Sequence, residues 1–341
     1  MRIRYELLFV FLFLGLLFSQ SLSADALATN FASFPLSDKL IASVTDFRLQ
    51  MGDRVYHDVL VGQNEWLVYA TTRSIDQYQN IRPLSDDELS NYEKSLLDFY
   101  DIVQANGAHL LFVAAPYKNT VYPENVPAEI QPIGKMSHLD QIVDLVGHTL
   151  VPVLDLRPAL FAAKRDAQTY YSTDTHWNDL GGFAAYQAIL HALQPTFPQL
   201  TPHPLSDYKV FMQPPKIMDL SFIMGSAKFG EERVQLRPQF KIASQSDSLV
   251  LPSGRQITFA INKNTDLPVA LFFHDSYLYT LMPFLSEHFS RTFYVDMQAG
   301  NEMLPRAWVE QIQPDVVVIV LNEHFLDFLP KLLTTGRVLD P

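Results

Sequence analysis

The sequence predicts an α/β fold, an open and mostly parallel sheet flanked by helices, and three observations predict it. Runs with helical spacing alternate with short apolar runs along most of the chain. The run DVVVIVL at 315–321 is apolar after its first residue, which suits a strand covered on both faces, as in a parallel sheet. Between about 200 and 265 the alternation gives way to short β-type runs, read as a small β-rich insertion or side sheet.

The elements follow in chain order. MRIRYELLFVFLFLGLLFSQSLSADA opens with Arg2 and Arg4, runs apolar from Leu7 to Phe18, and ends in the small residues Ser21, Ser23 and Ala24. Positive start, apolar centre and small-residue exit are the parts of a secretory signal. The strictly apolar run is shorter than the ~20 residues a membrane span prefers, although Tyr5–Ala24 reaches that length. Residues 1–24 therefore read as a signal peptide or an N-terminal signal anchor, and 25–341 as a single domain. Ser85 and Glu88 form a capping box, and Leu89, Tyr92, Leu96, Phe99 and Val103 keep helical spacing until Gly107. HLLFVAAP (109–116) reads as a buried strand, 136–148 as a helix, and VPVLDL (151–156) as a strand. The helix GGFAAYQAILHAL begins at Gly181 with Asn178 or Asp179 as its cap. After the insertion come PVALFF (268–273), a strand; YLYTLMPFLSEHF (277–289), a helix; RTFYV (291–295), a strand; and the 315–321 strand.

Bulk properties set the bounds. The 341 residues are 48% hydrophobic and carry a net charge of −12, which argues against nucleic acid as a partner. Cysteine is absent, so disulfides, thiolate metal sites and a cysteine nucleophile are excluded together. No internal repeat or low-complexity linker divides the chain.

The chemistry concentrates in two places. YYSTDTHWNDLGG (170–182) brings Asp174, His176 and Trp177 side by side just before an apolar helix. The strand PVALFF runs into His274-Asp275-Ser276 and then a second helical pattern. In open α/β sheets ligands sit outside the carboxyl ends of strands, and a serine at a strand-to-helix break is the geometry of a nucleophile elbow. Taken alone, Ser276 is better read as a helix cap, since serine is a preferred cap. A serine hydroxyl becomes a nucleophile only when a base takes its proton and a third group orients that base. The 174–176 loop supplies both, giving Ser276 as nucleophile, His176 as general base and Asp174 as orienting carboxylate, with free N–H groups at the helix start to hold an oxyanion.

The order Asp-x-His-Trp-x-x-x-Gly, then strand–Asp-Ser–helix, resembles the SGNH-hydrolase-like domain of alginate O-acetyltransferases, the AlgJ/AlgX family. VLVGQNEWLVYA (59–70), FVAAPYKNTVYPENVP (112–127) and PDVVVIVLNEHFL (314–326) are similar to further segments of that family, so the likeness runs from Val59 to Leu326. The chain departs from it at His274, where the family has glycine, and at His324, where the family's Glu-Arg pair becomes Glu323-His324. At 274 a histidine is expected to narrow the oxyanion site or add a donor to it.

The resemblance implies an exported enzyme that moves acetyl, through an acetyl-serine, onto hydroxyls of an extracellular or cell-envelope polysaccharide. It also implies a membrane-bound O-acyltransferase partner as acetyl donor, no cofactor, and a catalytic domain without an appended carbohydrate-binding module. Two other functions stay open: a carbohydrate acetylesterase with the same three residues, and a non-catalytic polysaccharide-assembly protein on this fold. Candidate substrate or oxyanion contacts are Asp275, Tyr277, Trp177, Lys118, Tyr117 and Glu323, each with a bland alternative in packing, capping or a solvated loop. Trp66 reads as core. A metal held by His176, His274 and His324 is set aside, since no His-x-x-x-His spacing supports it.

Overall fold

The computed structural model describes residues 37–226, 228–250, 256–298 and 304–335. The leader reading of residues 1–24 lies outside them, and among the described residues no helix is long and apolar enough to cross a membrane. Two units separate at Asp53. In the first, the helix Ser37–Gln50 closes on a turn in which Gly52 takes φ of 93° and Arg48 Nε donates to Asp53 Oδ2 at 2.7 Å.

Among the described residues the second unit holds three sheets. A small antiparallel sheet is formed by β1 (Val55–Tyr56), β2 (Val59–Val61) and β3 (Leu67–Tyr69). The main sheet uses β4 (His109–Ala115) and β5 (Val153–Asp155). Next in the chain, β6 (Tyr208–Ile217) and β7 (Gly230–Pro238) pair as a separate two-stranded ribbon. The strands β8 (Ser244–Val250), β9 (Gln256–Asn262), β10 (Val269–His274), β11 (Arg291–Asp296) and β12 (Val316–Asn322) complete the main sheet.

The main sheet is seven-stranded, ordered β5-β4-β12-β10-β11-β9-β8. All pairings from β5 to β11 are parallel, and β9 and β8 add antiparallel at one edge. The fold is thus the expected α/β, an open and mostly parallel sheet flanked by helices, with one difference at the insertion. Only β6–β7 stands aside; the β8–β9 hairpin extends the main sheet. Its antiparallel edge needs no crossover helix, which is why its short turn-linked runs look foreign to the βα rhythm.

Strand alternation divides the core into two layers. On β4, Leu111, Val113 and Ala115 face one layer and Leu110, Phe112 and Ala114 the other; β12 splits Val316, Val318 and Val320 from Val317, Ile319 and Leu321 in the same way. Helix Asp179–Leu193 covers the first layer through Phe183, Tyr186 and Ile189, and helix Asp86–Ala105 covers the second through Leu96, Phe99 and Val103. The Ser85–Glu88 capping box forms as read, and Trp66 is core, tilted on Tyr122 at 4.6 Å.

The expected helix 277–289 is instead three short pieces, Ser276–Thr280 and Ser286–His288 as 3-10 turns around the α-turn Met282–Leu285. Pro283 sits at the start of the central turn, where its missing N–H breaks the preceding hydrogen-bond ladder. The last described strand, β12, lies between β4 and β10. The carboxyl ends of those three strands therefore sit side by side, and the loops leaving them share one cleft.

Candidate active site

The segment of the candidate nucleophile Ser276 is built by Asp275. Its backbone is extended, and its carboxylate accepts from Tyr277 N at 2.9 Å and from Asn322 N at 2.5 Å, so one buried side chain caps the turn after β10 and ties it to the end of β12. The cap is Asp275 and not Ser276, which leaves the Ser276 hydroxyl uncommitted to the turn. Burial pushes the Asp275 carboxyl up to about 6, against the pull of the Asn322 and Tyr277 amides.

The candidate base, His176, comes from the 170–178 loop. Asp174 Oδ1 accepts from the His176 amide at 2.9 Å and from His176 Nδ1 at 2.7 Å, which fixes the proton on Nδ1. Nε2 then faces Ser276 Oγ at 2.8 Å. The two loops are stitched reciprocally: Trp177 Nε1 donates to Tyr277 O at 3.0 Å and Tyr277 Oη donates to Thr175 O at 2.7 Å. Asn178 caps the next helix by accepting from Leu180 N and Gly181 N. Gly181 has to be small, since a Cβ there would lie 2.2 Å from Thr169 O.

A second carboxylate stands beside the first. Asp219, at the start of helix Asp219–Met224, accepts from the amide and the hydroxyl of Thr175 and lies 3.7 Å from His176 Nδ1. Burial pulls the His176 pKa down, but Asp174, Asp219 and Asp275 more than offset it and the net shift is upward. Asp174 is itself held below its ordinary value: burial raises it, and the histidine and its amide lower it further. Asp219 is raised, by burial first and by the Asp174 charge second. The ligating atoms of Asp174, His176 and Asp219 lie within 4.8 Å of one another. A cation there would have to displace the Nδ1 proton that Asp174 accepts.

The remaining candidates divide. Tyr277, Tyr117 and His324 line a cavity of about 340 Å³ that also contains Ser276, His176, Asp219, Asn322 and Gln298. Four readings as substrate contacts are corrected by burial or by hydrogen bonds already made within the protein. Trp177 is 1% exposed and packs edge-on to Tyr277, so it backs the histidine and offers no stacking wall. Lys118, also 1% exposed, donates to the carbonyls of Tyr171, Ser172 and Asp174 and holds the base loop from beneath. Burial lowers its pKa to about 8, with Asp219 and Asp174 opposing. Glu323 accepts from Tyr117 N at 3.0 Å and Thr120 Oγ1 at 2.6 Å, clamping the β4 exit to the β12 exit. The Asp275 carboxylate is spent on backbone amides. His274 is 1% exposed, lies outside the lining of that cavity, and has its Nδ1 2.7 Å from Asp275 O.

Sequence reasoning missed Asp219 and Gln298. Asp219 lies in the segment read only as an insertion, and nothing in MDLSF separates it from a capping acid. Gln298 follows β11 and its Oε1 accepts from Ser276 N at 3.1 Å, occupying the amide best placed to meet a developing oxyanion.

A hydroxyl, an imidazole with a fixed tautomer and a buried carboxylate in series form a nucleophile that can take and release an acyl group. Comparison with known proteins agrees with that chemistry at the level of family. Residues 59–248 match the family described as the SGNH hydrolase-like domain of acetyltransferase AlgX. A probable alginate O-acetylase AlgJ of Pseudomonas syringae pv. tomato is 27% identical over 132 residues, 38% of this chain and 32% of that protein, so the match spans about a third of the relative's length. Among solved structures, PatB1 of Bacillus cereus with a sulfonyl adduct superposes with a TM-score of 0.60 at 15% identity, covering 79% of this chain and 97% of that one. The O-acetyltransferase domain of Pseudomonas putida AlgJ superposes with a TM-score of 0.52 at 20% identity, covering 80% and 93%. These two likenesses are of fold. The family match covers more than half of the chain, and the chain belongs to the SGNH hydrolase-like acetyltransferase family of AlgJ and AlgX.

Proposed function

We propose that this protein is an exported O-acetyltransferase that carries acetyl on Ser276 and passes it to hydroxyls of an alginate-like polysaccharide of the cell envelope or exterior. The observation that carries the reading is the continuous line Ser276 Oγ–His176 Nε2 at 2.8 Å and His176 Nδ1–Asp174 Oδ1 at 2.7 Å. His176 Nε2 takes the Ser276 proton as Oγ bonds to the acetyl carbonyl carbon. The tetrahedral oxyanion collapses, the bond to the donor's leaving group breaks, and the imidazolium returns its proton to that group. A sugar hydroxyl then loses its proton to His176 and attacks the acetyl-serine, and collapse returns the proton to Ser276 Oγ. Asp174 keeps the imidazole in the productive tautomer and stabilises its charged form.

A membrane-bound O-acyltransferase supplies the acetyl group in this scheme, and residues 1–24 direct export or anchoring. The AlgJ relative's name supports an alginate-like acceptor. The His176 side chain is 30% exposed, which favours acetylesterase activity as the second reading, with water as acceptor.

Intact-mass measurement of the protein quenched after exposure to para-nitrophenyl acetate tests the proposal. Wild type gains one acetyl group and Ser276→Ala gains none. Adding oligosaccharides then assigns transferase or esterase by where the acetyl goes. Equal turnover in the two proteins would remove Ser276 from the reaction.

A further inference from the structure

The proton on His176 Nδ1 has more than one acceptor in reach. Asp174 Oδ1 lies 2.7 Å from Nδ1, Thr175 Oγ1 lies 3.1 Å from it, and Asp219 Oδ2 lies 3.7 Å from it. The Thr175 hydroxyl in turn donates its proton to Asp219 Oδ2. A hydroxyl has one proton and two lone pairs. With the proton given to Asp219, lone pairs of Thr175 Oγ1 are what face Nδ1. His176 is thus flanked by two acid arms. One runs directly to Asp174, and the other reaches Asp219 both across a short gap and through Thr175.

The two arms come from different parts of the chain and are tied to each other. Asp219 opens the helix Asp219–Met224 in the insertion, and its Oδ1 accepts from Thr175 N at 2.9 Å. The Asp219 amide donates to Asp174 Oδ2 at 3.4 Å. The two bonds that Thr175 makes do not depend on the Asp174 side chain, so the second carboxylate keeps its place when the first is altered. An asparagine could accept from Thr175 equally well. What a carboxylate adds at 219 is a charge set against the imidazole. Carboxylates this close disfavour each other's ionised form. Burial first and the Asp174 charge second raise the Asp219 pKa. Without the Asp174 charge Asp219 ionises more readily, and its charge then serves the imidazole alone.

We infer that Asp219 is a second positioning residue for the base and holds the Nδ1 proton of His176 when Asp174 does not. The inference rests on the acyl-transfer reading above for its kinetic consequence, and it goes beyond that reading in giving the histidine two interchangeable acid partners. Either carboxylate keeps the proton on Nδ1, so Nε2 stays free to take the Ser276 proton. No proton passes to either acid.

The test is a double-mutant cycle in the full chain: Asp174→Ala, Asp219→Asn and the two together. The rate of adduct formation from para-nitrophenyl acetate is the readout, with thermal unfolding to check the fold. Asparagine at 219 keeps an acceptor for Thr175 and removes only the charge. Loss of the orienting acid of a Ser-His-Asp triad ordinarily lowers kcat by about 10⁴-fold. Asp174→Ala should instead lose roughly 10²-fold in acylation rate, and adding Asp219→Asn should cost a further ~10²-fold, far more than it costs with Asp174 in place. Independently of turnover, proton NMR follows the Nδ1–H resonance of His176, assigned by its loss in His176→Gln. That resonance should persist in Asp174→Ala and vanish in the double variant, which a purely structural Asp219 would not produce. Asp174→Asn takes the place of Asp174→Ala in the same cycle if the latter does not fold. An equal cost of Asp219→Asn in both backgrounds, with the resonance already lost when Asp174 is replaced, overturns the second arm. If wild type forms no adduct, the acyl-transfer reading fails, and the resonance alone then decides whether Asp219 holds the proton.

Discussion

Lys118 Nζ lies 2.7 Å from the carbonyl oxygen of Asp174, so a residue at the exit of one strand fixes the backbone of the residue that orients the histidine. The same ammonium serves Ser172 O at 3.0 Å and Tyr171 O at 3.4 Å. Lys118→Met fills the space and leaves those carbonyls short of a donor. It should cost about 2 kcal/mol of stability and lower kcat more than KM, as the loop drifts and the His176–Ser276 distance opens. Urea denaturation and steady-state kinetics on the folded variant check this; a stable variant with full kcat would show that the loop holds itself.

Asp219 adjusts the base without touching the serine. The proposed mechanism needs neutral His176, so kcat/KM should rise with pH through a pKa above that of an ordinary imidazole, the direction in which Asp174, Asp219 and Asp275 move it. Asp219→Asn removes one of the negative charges that favour the imidazolium. The acid limb should move to lower pH, with the plateau rate little changed. A limb that stays in place would uncouple Asp219 from the base.

Gln298 controls the site's electrostatics from the oxyanion side. Its Oε1 takes the Ser276 N–H in the resting enzyme and must yield it when an oxyanion forms. Gln298→Glu puts a charged competitor on that amide and repels the developing charge. Acylation should slow by roughly 10²-fold, read as the rate of adduct formation in a single turnover. Gln298→Ala, which only vacates the amide, should cost far less. Equal losses in the two variants would point to packing and not charge.

His288 predicts acid sensitivity away from the cleft. Tyr186 Oη accepts from His203 N at 2.8 Å and gives its proton to His288 Nε2 at 2.7 Å, so His288 is neutral and buried. Burial first, then His203, pushes its pKa down to about 4. The unfolded chain takes this proton below about 6.5 and the native one only near 4. Stability should therefore fall as pH drops through that window, by about 2 kcal/mol between pH 7 and 5 from this group. Denaturation midpoints of wild type and His288→Gln at the two pH values measure it. The variant should lose less by that amount, and parallel losses would assign the effect elsewhere.

The legible parts of this molecule were those set by local chemistry. Alternation on β4 and β12 and the capping box at Ser85 follow from side-chain periodicity, and Asp174, His176 and Ser276 could be paired because each chemical role demands a residue type. The roles of Lys118, Trp177 and Glu323 could not be read the same way. Each is polar or amphipathic and lies beside a strand end or the loop of the base, as a substrate contact would, and only the packing of distant segments shows Lys118 and Trp177 buried and Glu323 bonded between two strand exits. Asp219 and Gln298 were invisible for the complementary reason: their contacts lie 44 and 22 residues away in the chain, and no local pattern marks such a reach. The broken 277–289 helix turned on Pro283, whose effect the apolar spacing concealed.

The serine and its base are 100 residues apart in sequence, and what brings them together is a single seam, the exchange of hydrogen bonds between Trp177, Tyr277 and Thr175. Until β10 and β12 are zipped beside β4, that seam has nothing to close against. A nascent or part-folded chain accordingly carries Ser276 as an ordinary alcohol, inert toward any acyl donor it meets. On this reading reactivity belongs to the assembled cleft and not to the 276 segment by itself.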